Sequence, residues 1–395
     1  MLLRGAAAVP LTAGVLSSCG DGVDYQEPSP DYEKLPRTRE GNVMLAQLDK
    51  GPDSVVEVCR KLDFSWLKPG ESVLLKVASN SKYQHPSTTS GDAIRGMVRF
   101  LKEKGAGRVV VADQAGIEWV RYRADSKVGA TRSMFEQNGL MQASRDAGAE
   151  VHFFDDEPFE TGYFAATPPS LSHWKGPINV PNIIRDVDHI IYMPRLSAHA
   201  VAGYTMALKV AVGWLRDDSR LEFHQKGAST YEKYTEITYT REIKERLRLV
   251  FTYASKVLLD IGPDQGTTVD LPHALILATT HPGDHDAVGS RLLTALDDMF
   301  PSPIDLFPIY PIQADYWNKY LVEYWGNEAV SKYEAFTPGA FWKGVNHDPA
   351  LRHAYLLDGV RPKRITITTH GIPLPPPIME SLSTYDDGLF NVVTG

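Results

Sequence analysis

The sequence is poor in cysteine, with only Cys19 and Cys59 among its 395 residues. Iron–sulfur clusters are held by four cysteine thiolates, so no iron–sulfur cluster is expected within this chain. Cys59 lies in an apolar helical pattern with Val55, Val56 and Val58, which favours a small core residue over a reactive thiol.

Long runs of basic residues are also absent, and the formal net charge is −8. Nucleic-acid binding requires a concentrated basic face, so nucleic acid is not expected as a partner. The chain has no glycine fingerprint for dinucleotides, no P-loop and no Gly-x-Ser-x-Gly elbow. These three absences argue against the commonest nucleotide-binding and serine-hydrolase sites.

The longest apolar run is short and N-terminal, extending from Ala6 to Leu16 after Arg4. This pattern predicts a secretory signal rather than a spanning helix. Leu16-Ser-Ser-Cys19 is similar to a lipobox, with Cys19 as the lipidated residue. Residues 1–19 are therefore interpreted as signal peptide and lipobox, and the polar residues 20–41 as a linker. The expected location is periplasmic or membrane-anchored, with membrane contact only through this anchor or signal. Leu3 to Ala8 is also similar to the end of a twin-arginine signal, although the paired arginines are lacking.

From Asn42 onward, apolar strand patterns alternate with amphipathic helix patterns, as in Val73–Val77 and the helix over Gly91–Lys104. This alternation predicts an α/β fold with a mostly parallel sheet flanked by helices. The α/β domain is placed at residues 42–300. Residues 301–395 are interpreted as an irregular, aromatic-rich extension that packs on one edge. The pattern over Thr240 to Leu259 predicts a helix.

Ligands of open parallel sheets bind beyond the carboxyl ends of the strands. Four segments of this chain fall at such ends. They supply the candidate residues Lys76, Asn80 and His85; Asp113; Arg195, His199, Thr205 and Lys209; and His281, His285 and Asp286.

The third of these segments carries the strongest signal, because Arg195, His199 and Lys209 bracket an otherwise alanine-rich stretch. A lysine is a compact cation that fits a carboxylate or phosphate, and when it is partly desolvated it also serves as a base. Thr205 and Lys209 are four residues apart and are predicted to share a helix face. We expect Arg195 and Lys209 to bind negative charge and His199 to transfer a proton. The alternative is a lysine that reaches solvent from the end of a buried helix.

His281, His285 and Asp286 place two imidazoles and a carboxylate within six residues, which suits a divalent metal. An equally ordinary interpretation is a helix start, with Pro282 in the first turn and the acidic residues complementing the helix dipole. Both interpretations remain open from the sequence.

Taken together, the four segments resemble the domain of unknown function 362 family, over roughly Asn42 to Leu296. The matching motifs are Leu74-Leu-Lys76 with Asn80, Lys102 to Ala106 followed by Val109–Val111 and Asp113, Pro194 to Lys209, and Thr280 to Ala287. The family resemblance implies an α/β fold but no reaction, because the family has none assigned.

This chain departs from the family pattern in its charged residues. Arg195 stands for a lysine and His281 for an acid. Many relatives also carry ferredoxin-type cysteines, which are lacking here.

The sequence favours an exported enzyme that acts on a small anionic or sugar-acid substrate. Lys209, His199 and Asp113 are its predicted catalytic residues, and Arg195, Thr205, Lys76, Asn80 and His85 are predicted to bind substrate. A divalent metal at His281, His285 and Asp286 is the one cofactor considered. A ligand-binding lipoprotein without catalytic activity and a redox accessory protein are the alternatives.

Overall fold

The computed structural model of the chain describes residues 25–26, 28–300, 306–384 and 388–395. The predicted signal peptide and lipobox at residues 1–19 lie outside the described residues, as does the start of the predicted linker. None of the described helices combines the length and the apolar character that crossing a membrane requires.

The described residues form fourteen α-helices and fifteen strands. The helices are α1 (Pro30–Glu33), α2 (Pro52–Cys59), α3 (Gly91–Glu103), α4 (Thr131–Asn138), α5 (Leu140–Asp146), α6 (Ala207–Val210), α7 (Asp217–Gln225), α8 (Thr230–Thr238), α9 (Arg241–Lys244), α10 (Pro282–Met299), α11 (Leu306–Glu323), α12 (Asn327–Ser331), α13 (Pro349–Asp358) and α14 (Pro376–Ser383). The strands are β1 (Arg37–Leu48), β2 (Ser72–Val77), β3 (Arg108–Asp113), β4 (Arg121–Tyr122), β5 (Lys127–Val128), β6 (Glu150–Phe153), β7 (Tyr163–Ala166), β8 (Ile178–Pro181), β9 (His189–Met193), β10 (Ser197–His199), β11 (Gly203–Thr205), β12 (Leu247–Leu258), β13 (Thr268–Thr279), β14 (Arg361–Gly371) and β15 (Phe390–Thr394).

One mixed sheet organises the fold, in the order β15-β14-β1-β13-β12-β9-β2-β3-β6. The pairs β14/β15, β1/β14, β9/β12, β2/β9, β2/β3 and β3/β6 are parallel, whereas β13 is antiparallel to both β1 and β12. The predicted α/β class with a mostly parallel sheet is therefore confirmed. β10 and β11 form a hairpin that joins the sheet through β12.

Two apolar cores lie on the two faces of this sheet. Alternate residues of β2 show the division, because Leu74 belongs to one core and Val73 and Leu75 to the other. Helices α2 and α3 cover the second core, whereas α6, α8, α10 and α13 cover the first. Side chains on both faces of each central strand are thus removed from water, as in most parallel sheets.

The prediction of a helix from Thr240 to Leu259 is wrong. Only the short α9 forms there, and β12 follows as a central strand. Val250 and Ala254 face one core while Phe251 and Tyr253 face the other, which is the two-residue period of a strand. Because both faces are apolar, the alternation is hidden in the sequence, and the β-branched and aromatic composition was the better indicator.

The boundaries expected at both ends of the α/β domain also differ from the structure. β1 begins at Arg37, so the last five residues of the linker predicted at 20–41 belong to the sheet, where they pair with β14. At the other end, β14 and β15 extend the same sheet beside β1. Residues 361–371 and 390–394 are therefore part of the sheet, although they fall in the predicted extension.

A buried ion pair fastens β1 to α10. The Arg39 guanidinium donates two hydrogen bonds to the Asp284 carboxylate, at 2.7 and 2.5 Å. The Asp284 side chain is fully buried, and it also accepts a hydrogen bond from Tyr355 at 3.3 Å.

We expect Asp284→Asn to lower the free energy of unfolding by about 3 kcal/mol, because the largely buried Arg39 loses its counter-ion. Asp53→Asn is the matched control, since Asp53 pairs with Arg99 but is 91% exposed. The control should change stability by less than about 1 kcal/mol. Urea denaturation of the three proteins measures both values, and equal losses in the two variants would contradict the assignment.

Candidate anion-binding site at the carboxyl edge of the sheet

The adjacent parallel strands β9, β2 and β3 end side by side, and their following loops meet at one edge of the sheet. This is the edge at which ligands of parallel sheets bind. Residues 78–90 follow β2, residues 114–120 follow β3 and residues 194–206 follow β9. The first three predicted segments therefore converge.

Lys76 and Asp113 form a buried ion pair at this edge. Lys76 Nζ lies 2.6 Å from Asp113 Oδ1, and both side chains are less than 5% exposed. The same ammonium donates to the carbonyl oxygens of Val77 and Val210, each at 3.0 Å. Asp113 Oδ2 accepts the backbone N–H of Ser79 at 2.6 Å. Burial lowers the pKa of Lys76, and the Asp113 carboxylate opposes that shift. The two groups are thus committed to each other.

Close approach of the backbone at Gly213 completes this arrangement. A Cβ atom at Gly213 would collide with Asp113 Oδ1 and with Lys76 Nζ. Only glycine therefore allows the 3₁₀ turn over Ala211–Trp214 to pass directly over the ion pair. Lys76 also lies 5.6 Å from the ring centroid of Trp214, in the same turn. The ion pair consequently positions the chain that follows Lys209.

Arg195 lies buried at the start of the loop that follows β9. Its Nη1 donates to the carbonyl oxygens of Ser87 and of Pro263, the latter at 2.7 Å. Its Nε is buried without a hydrogen-bond partner among the described residues. Burial lowers the pKa of Arg195 to about 10, with Asp264 and Asp113 opposing the shift.

A second buried guanidinium, Arg220 on α7, was missed by sequence reasoning. Its Nη atoms donate to the carbonyl oxygens of Ala115 at 2.5 Å and of Gln114 at 3.2 Å. Its Nε, like that of Arg195, is buried and unpartnered among the residues the structure describes. Arg220 occupies a largely polar helix, and no local motif marks it as part of a site.

Lys209 lies on α6, whose first turn is capped by a carboxylate. The backbone N–H groups of Ala207 and Leu208 donate to the two oxygens of Asp286, at 2.8 and 2.9 Å. Lys209 is mostly buried, and the described part of the chain offers its ammonium no hydrogen bond or ion pair. Burial, then the charges of Arg195 and Arg220, lower the pKa of Lys209 to about 7.

Two neutral histidines share the electrostatic environment of Lys209. His199 Nδ1 accepts the backbone N–H groups of Val201 at 3.0 Å and Ala202 at 3.3 Å. Burial, followed by the charges of Lys209 and Arg195, holds the pKa of His199 well below its ordinary value. A neutral imidazole that accepts at Nδ1 carries its proton at Nε2. That Nε2–H makes no hydrogen bond to another described residue.

His224, on α7, presents the opposite tautomer. Its Nδ1 lies 2.8 Å from Asn318 Oδ1, which is an acceptor because the Asn318 amide donates to the His224 carbonyl at 3.0 Å. Burial lowers the pKa of His224 to about 3. The ring is therefore neutral, and its Nε2 is an acceptor.

The remaining predicted substrate-binding residues have other positions or partners. Thr205 lies on β11, opposite Ser197 in the hairpin, so it does not share a helix face with Lys209, as had been expected. The Asn80 amide hydrogen-bonds Asp264. His85 is engaged at both ring nitrogens. Its Nδ1 lies 3.2 Å from the Thr88 carbonyl oxygen, and its Nε2 accepts the backbone N–H of Lys256.

Of the predicted metal set, His285 and Asp286 contact each other, whereas His281 faces other neighbours. His281 Nε2 lies 2.7 Å from Asp358, and its Nδ1 accepts the Asp284 N–H as the helix cap. His285 lies between Asp286 and the Thr252 hydroxyl. With Asp286 also capping α6, the set is not gathered around one point. These positions agree with the interpretation of the segment as a helix start.

Among the described residues, the group with converging metal-ligand atoms is instead His173, Glu236 and His353.

The charges at the edge are strongly unbalanced. Lys76 and Asp113 neutralise each other, while Arg195, Lys209 and Arg220 interact repulsively. Asp264, the nearest carboxylate to Arg195 in electrostatic terms, accepts hydrogen bonds from Asn80 and Trp119. Buried cations are ordinarily paired, so this arrangement is suited to an incoming anion.

Comparisons with known proteins bear on the fold and on the family. The family model described as "Domain of unknown function (DUF362)" matches residues 73–291, which is more than half of the chain. No curated protein matches the sequence. Among solved structures, the chain is similar to the lactate racemase apoprotein from Thermoanaerobacterium thermosaccharolyticum, at 11% identity and a TM-score of 0.38, over 92% of this chain and 88% of that one. At these values the similarity carries no argument about activity.

We expect Lys209→Met to stabilise the protein without ligand, by on the order of 2 kcal/mol below pH 7. The folded-state pKa of about 7 lies below the ordinary 10.5, so below pH 7 the folded protein bears the full cost of the desolvated charge. That cost falls as the pH rises from 7 towards 10.5, and the difference between variant and parent should shrink with it.

Urea denaturation at pH 6, 8 and 9.5 measures this dependence. Lys102→Met, on the exposed surface, is the control and should show no such trend. A Lys209→Met protein that is less stable than the parent at pH 6 would contradict the inference that the charged Lys209 ammonium destabilises the folded protein.

Proposed function

Because the chain belongs to the DUF362 family, whose description states no reaction, we propose its function from its own side chains. We propose an enzyme that acts on a small anionic substrate of the carboxylate or sugar-acid class. Arg195, Lys209 and Arg220 bind the negative charge, and Lys209 and His199 exchange a proton with the substrate.

The observation that carries this proposal is a group of three cations that form no ion pair with a carboxylate among the described residues; Asp264 acts on Arg195 and Asp217 on Arg220 only from beyond ion-pair distance. The Nε atoms of Arg195 and Arg220 are buried and unpartnered among the described residues, and Lys209 is likewise unpaired there. A buried donor left unsatisfied destabilises a protein by about 1 to 3 kcal/mol. An anion bound between these groups would relieve both the lost hydrogen bonds and the mutual repulsion.

Catalysis rather than binding alone is supported by the proton affinity of Lys209. A pKa of about 7 leaves a large fraction of the amine neutral near neutral pH, where it accepts a proton readily. An ordinary lysine would remain charged and would serve only as a fixed cation. His199 offers an Nε2–H donor, which could support an oxygen that gains negative charge as the proton leaves the substrate.

The proposal includes export, with the enzyme held at a membrane through lipid on Cys19. The support comes from the sequence alone: a positive charge at Arg4, a short apolar run, and Leu16-Ser-Ser-Cys19. Cys19→Ala should move the protein from the membrane fraction to the soluble fraction of the expressing cell, as detected by immunoblotting. An unchanged distribution would contradict the anchor.

The anion site is tested by calorimetric titration with glycolate, glucuronate and inorganic phosphate as probes. We expect at least one probe to bind the parent, and Lys209→Met to weaken that probe by more than about 10-fold, since a charged hydrogen bond of about 1.5 to 3 kcal/mol is lost. Affinity should also fall as the pH rises through 7, because the ammonium that attracts the anion loses its proton. Lys102→Met should bind like the parent. Equal affinity in the parent and in Lys209→Met would contradict the site.

Catalysis is tested separately by incubating the bound probe in D2O and following, by mass spectrometry, deuterium entry at the carbon next to the carboxylate. The parent should promote exchange, and Lys209→Met should not, even at probe concentrations that saturate it. Binding without exchange in the parent would identify the chain as a ligand-binding protein without this catalytic step.

A further inference from the structure

A second group of chemically capable side chains lies among the helices, apart from the sheet edge. His173 comes from the segment between β7 and β8, Glu236 from α8 and His353 from α13. His173 Nδ1 lies 2.7 Å and His353 Nε2 lies 2.9 Å from the same oxygen, Glu236 Oε1. The two imidazole rings meet edge to face, with centroids 5.0 Å apart.

Glu236 is fixed in a buried position by its surroundings. The Glu236 side chain is fully buried, and Oε2 accepts the Ser172 hydroxyl at 2.8 Å and the backbone N–H of His173 at 3.0 Å. His353 is 4% exposed, whereas His173 is 44% exposed. One ligand atom from each of the three residues lies within 4.8 Å of the others. The cluster is therefore rigid on its inner side and open to solvent through His173.

A small cavity of about 110 Å³ adjoins the cluster, lined by His173, His353 and Glu232 among others. Glu232 lies one turn before Glu236 on α8, so the two carboxylates share a helix face. Glu232 Oε2 is buried and has no hydrogen-bond partner among the described residues. A buried carboxylate oxygen without a hydrogen-bond donor is costly. Arg352 lines the same cavity as Glu232 and the two imidazoles, and a cation held by the imidazoles would add to the favourable charge around this carboxylate.

We propose that His173, Glu236 and His353 bind one divalent ion of the zinc class, with a fourth coordination position open to the cavity beside Glu232. Two imidazole nitrogens and a carboxylate oxygen are a donor set that zinc adopts with a water in the fourth position. Imidazole ligands exclude calcium and magnesium, which take oxygen ligands.

The separations between the three donor atoms are slightly shorter than those of a zinc site. Zinc–nitrogen and zinc–oxygen bonds of about 2.0 to 2.2 Å at a tetrahedral angle separate neighbouring donors by roughly 3.4 Å. The separations of 2.7 and 2.9 Å are those of hydrogen bonds. Each imidazole nitrogen would have to move away from the Glu236 oxygen by roughly 0.5 to 0.7 Å, the larger distance being that of His173, the exposed member. Coordination at His173 Nδ1 and at His353 Nε2 requires the proton of each neutral ring to lie on its other nitrogen.

The site is tested by titrating zinc into tag-free protein that has been treated with a chelator. Calorimetry should give one zinc per chain for the parent. His173→Ala and His353→Gln should each weaken binding by more than about 10-fold, since the loss of even an outer-shell partner has an effect of that size. Cobalt(II) should give the intense visible absorption of a tetrahedral site in the parent, and Glu232→Gln should alter that spectrum.

Two controls separate this site from other histidines. His370→Ala removes an imidazole that is 18% exposed and pairs with the single carboxylate of Glu57, at 2.7 Å. His281→Ala removes a member of the other candidate metal set. Both variants should bind zinc like the parent. The melting temperature of each metal-free variant shows that a loss of binding is not a loss of folding, because His173 is exposed and its removal should leave the metal-free protein folded.

A parent that binds no zinc, or a folded His173→Ala protein with parental affinity and an unchanged cobalt spectrum, would overturn the assignment. Loss of zinc binding in His281→Ala with full binding in His173→Ala would move the metal to α10. The anion site at the sheet edge is tested independently of either result, because its probes are titrated without metal.

Discussion

The ion pair between Lys76 and Asp113 is the interaction on which the candidate site depends. It joins the carboxyl ends of the two neighbouring strands β2 and β3 below the surface of the sheet edge. Each charged group also anchors a backbone segment, Ser79 through the carboxylate and Val210 through the ammonium. A buried pair is stable only when its geometry is good and its remaining valences are filled, and both conditions are met here. The pair therefore fixes the loop after β2 and the segment after Lys209 relative to each other.

The ion pair between Lys76 and Asp113 also determines the sign of the net charge at the site. Asp113 neutralises Lys76 and therefore cannot also form an ion pair with the other cations. Arg195, Lys209 and Arg220 consequently lack an equivalent carboxylate partner. This differs from the roles expected from the sequence, in which Asp113 was catalytic and Lys76 bound substrate. A cluster of unpaired cations lowers the stability of the folded protein. Such departures from the usual pairing of buried charges are expected mainly at functional sites. Burial, followed by repulsion from Arg195 and Arg220, lowers the pKa of Lys209, so the same unpaired charge that opposes folding also favours the neutral amine.

The sequence predicted the mostly parallel sheet correctly, because the sheet follows from local patterns, whereas the function of the residues at its edge stays a prediction. Alternating strand and helix signals located β2, β3 and β9, and the edge rule then placed Arg195 and Lys209 together. Arg220 could not be predicted, since an arginine in a polar helix resembles any solvated residue until the fold turns it inward. The helix expected over Thr240 to Leu259 failed for a related reason: a strand buried on both faces loses the alternation that would identify it.

The candidate metal-binding residues show the same limit more sharply. His281, His285 and Asp286 are adjacent in sequence, but a helix start directs successive side chains to different neighbours, and these three contact α13, β12 and α6 respectively. His173, Glu236 and His353 are separated by 63 and 117 positions, yet they meet. Proximity along a helix therefore predicts capping better than coordination, whereas convergence of donors depends on packing between distant elements.

Helix α8 is the element that the two candidate sites share. Glu236 lies on it, and two residues later Thr238 contacts the Tyr192 hydroxyl of β9 at 3.4 Å. That hydroxyl accepts the indole N–H of Trp214 at 3.2 Å, and the indole ring in turn lies against Lys76. A continuous set of buried contacts thus runs from the histidine cluster to the ion pair beneath Lys209. Because each member is buried and packed, the position of α8 is tied both to the histidine cluster and to the turn that passes over Lys76 and Asp113.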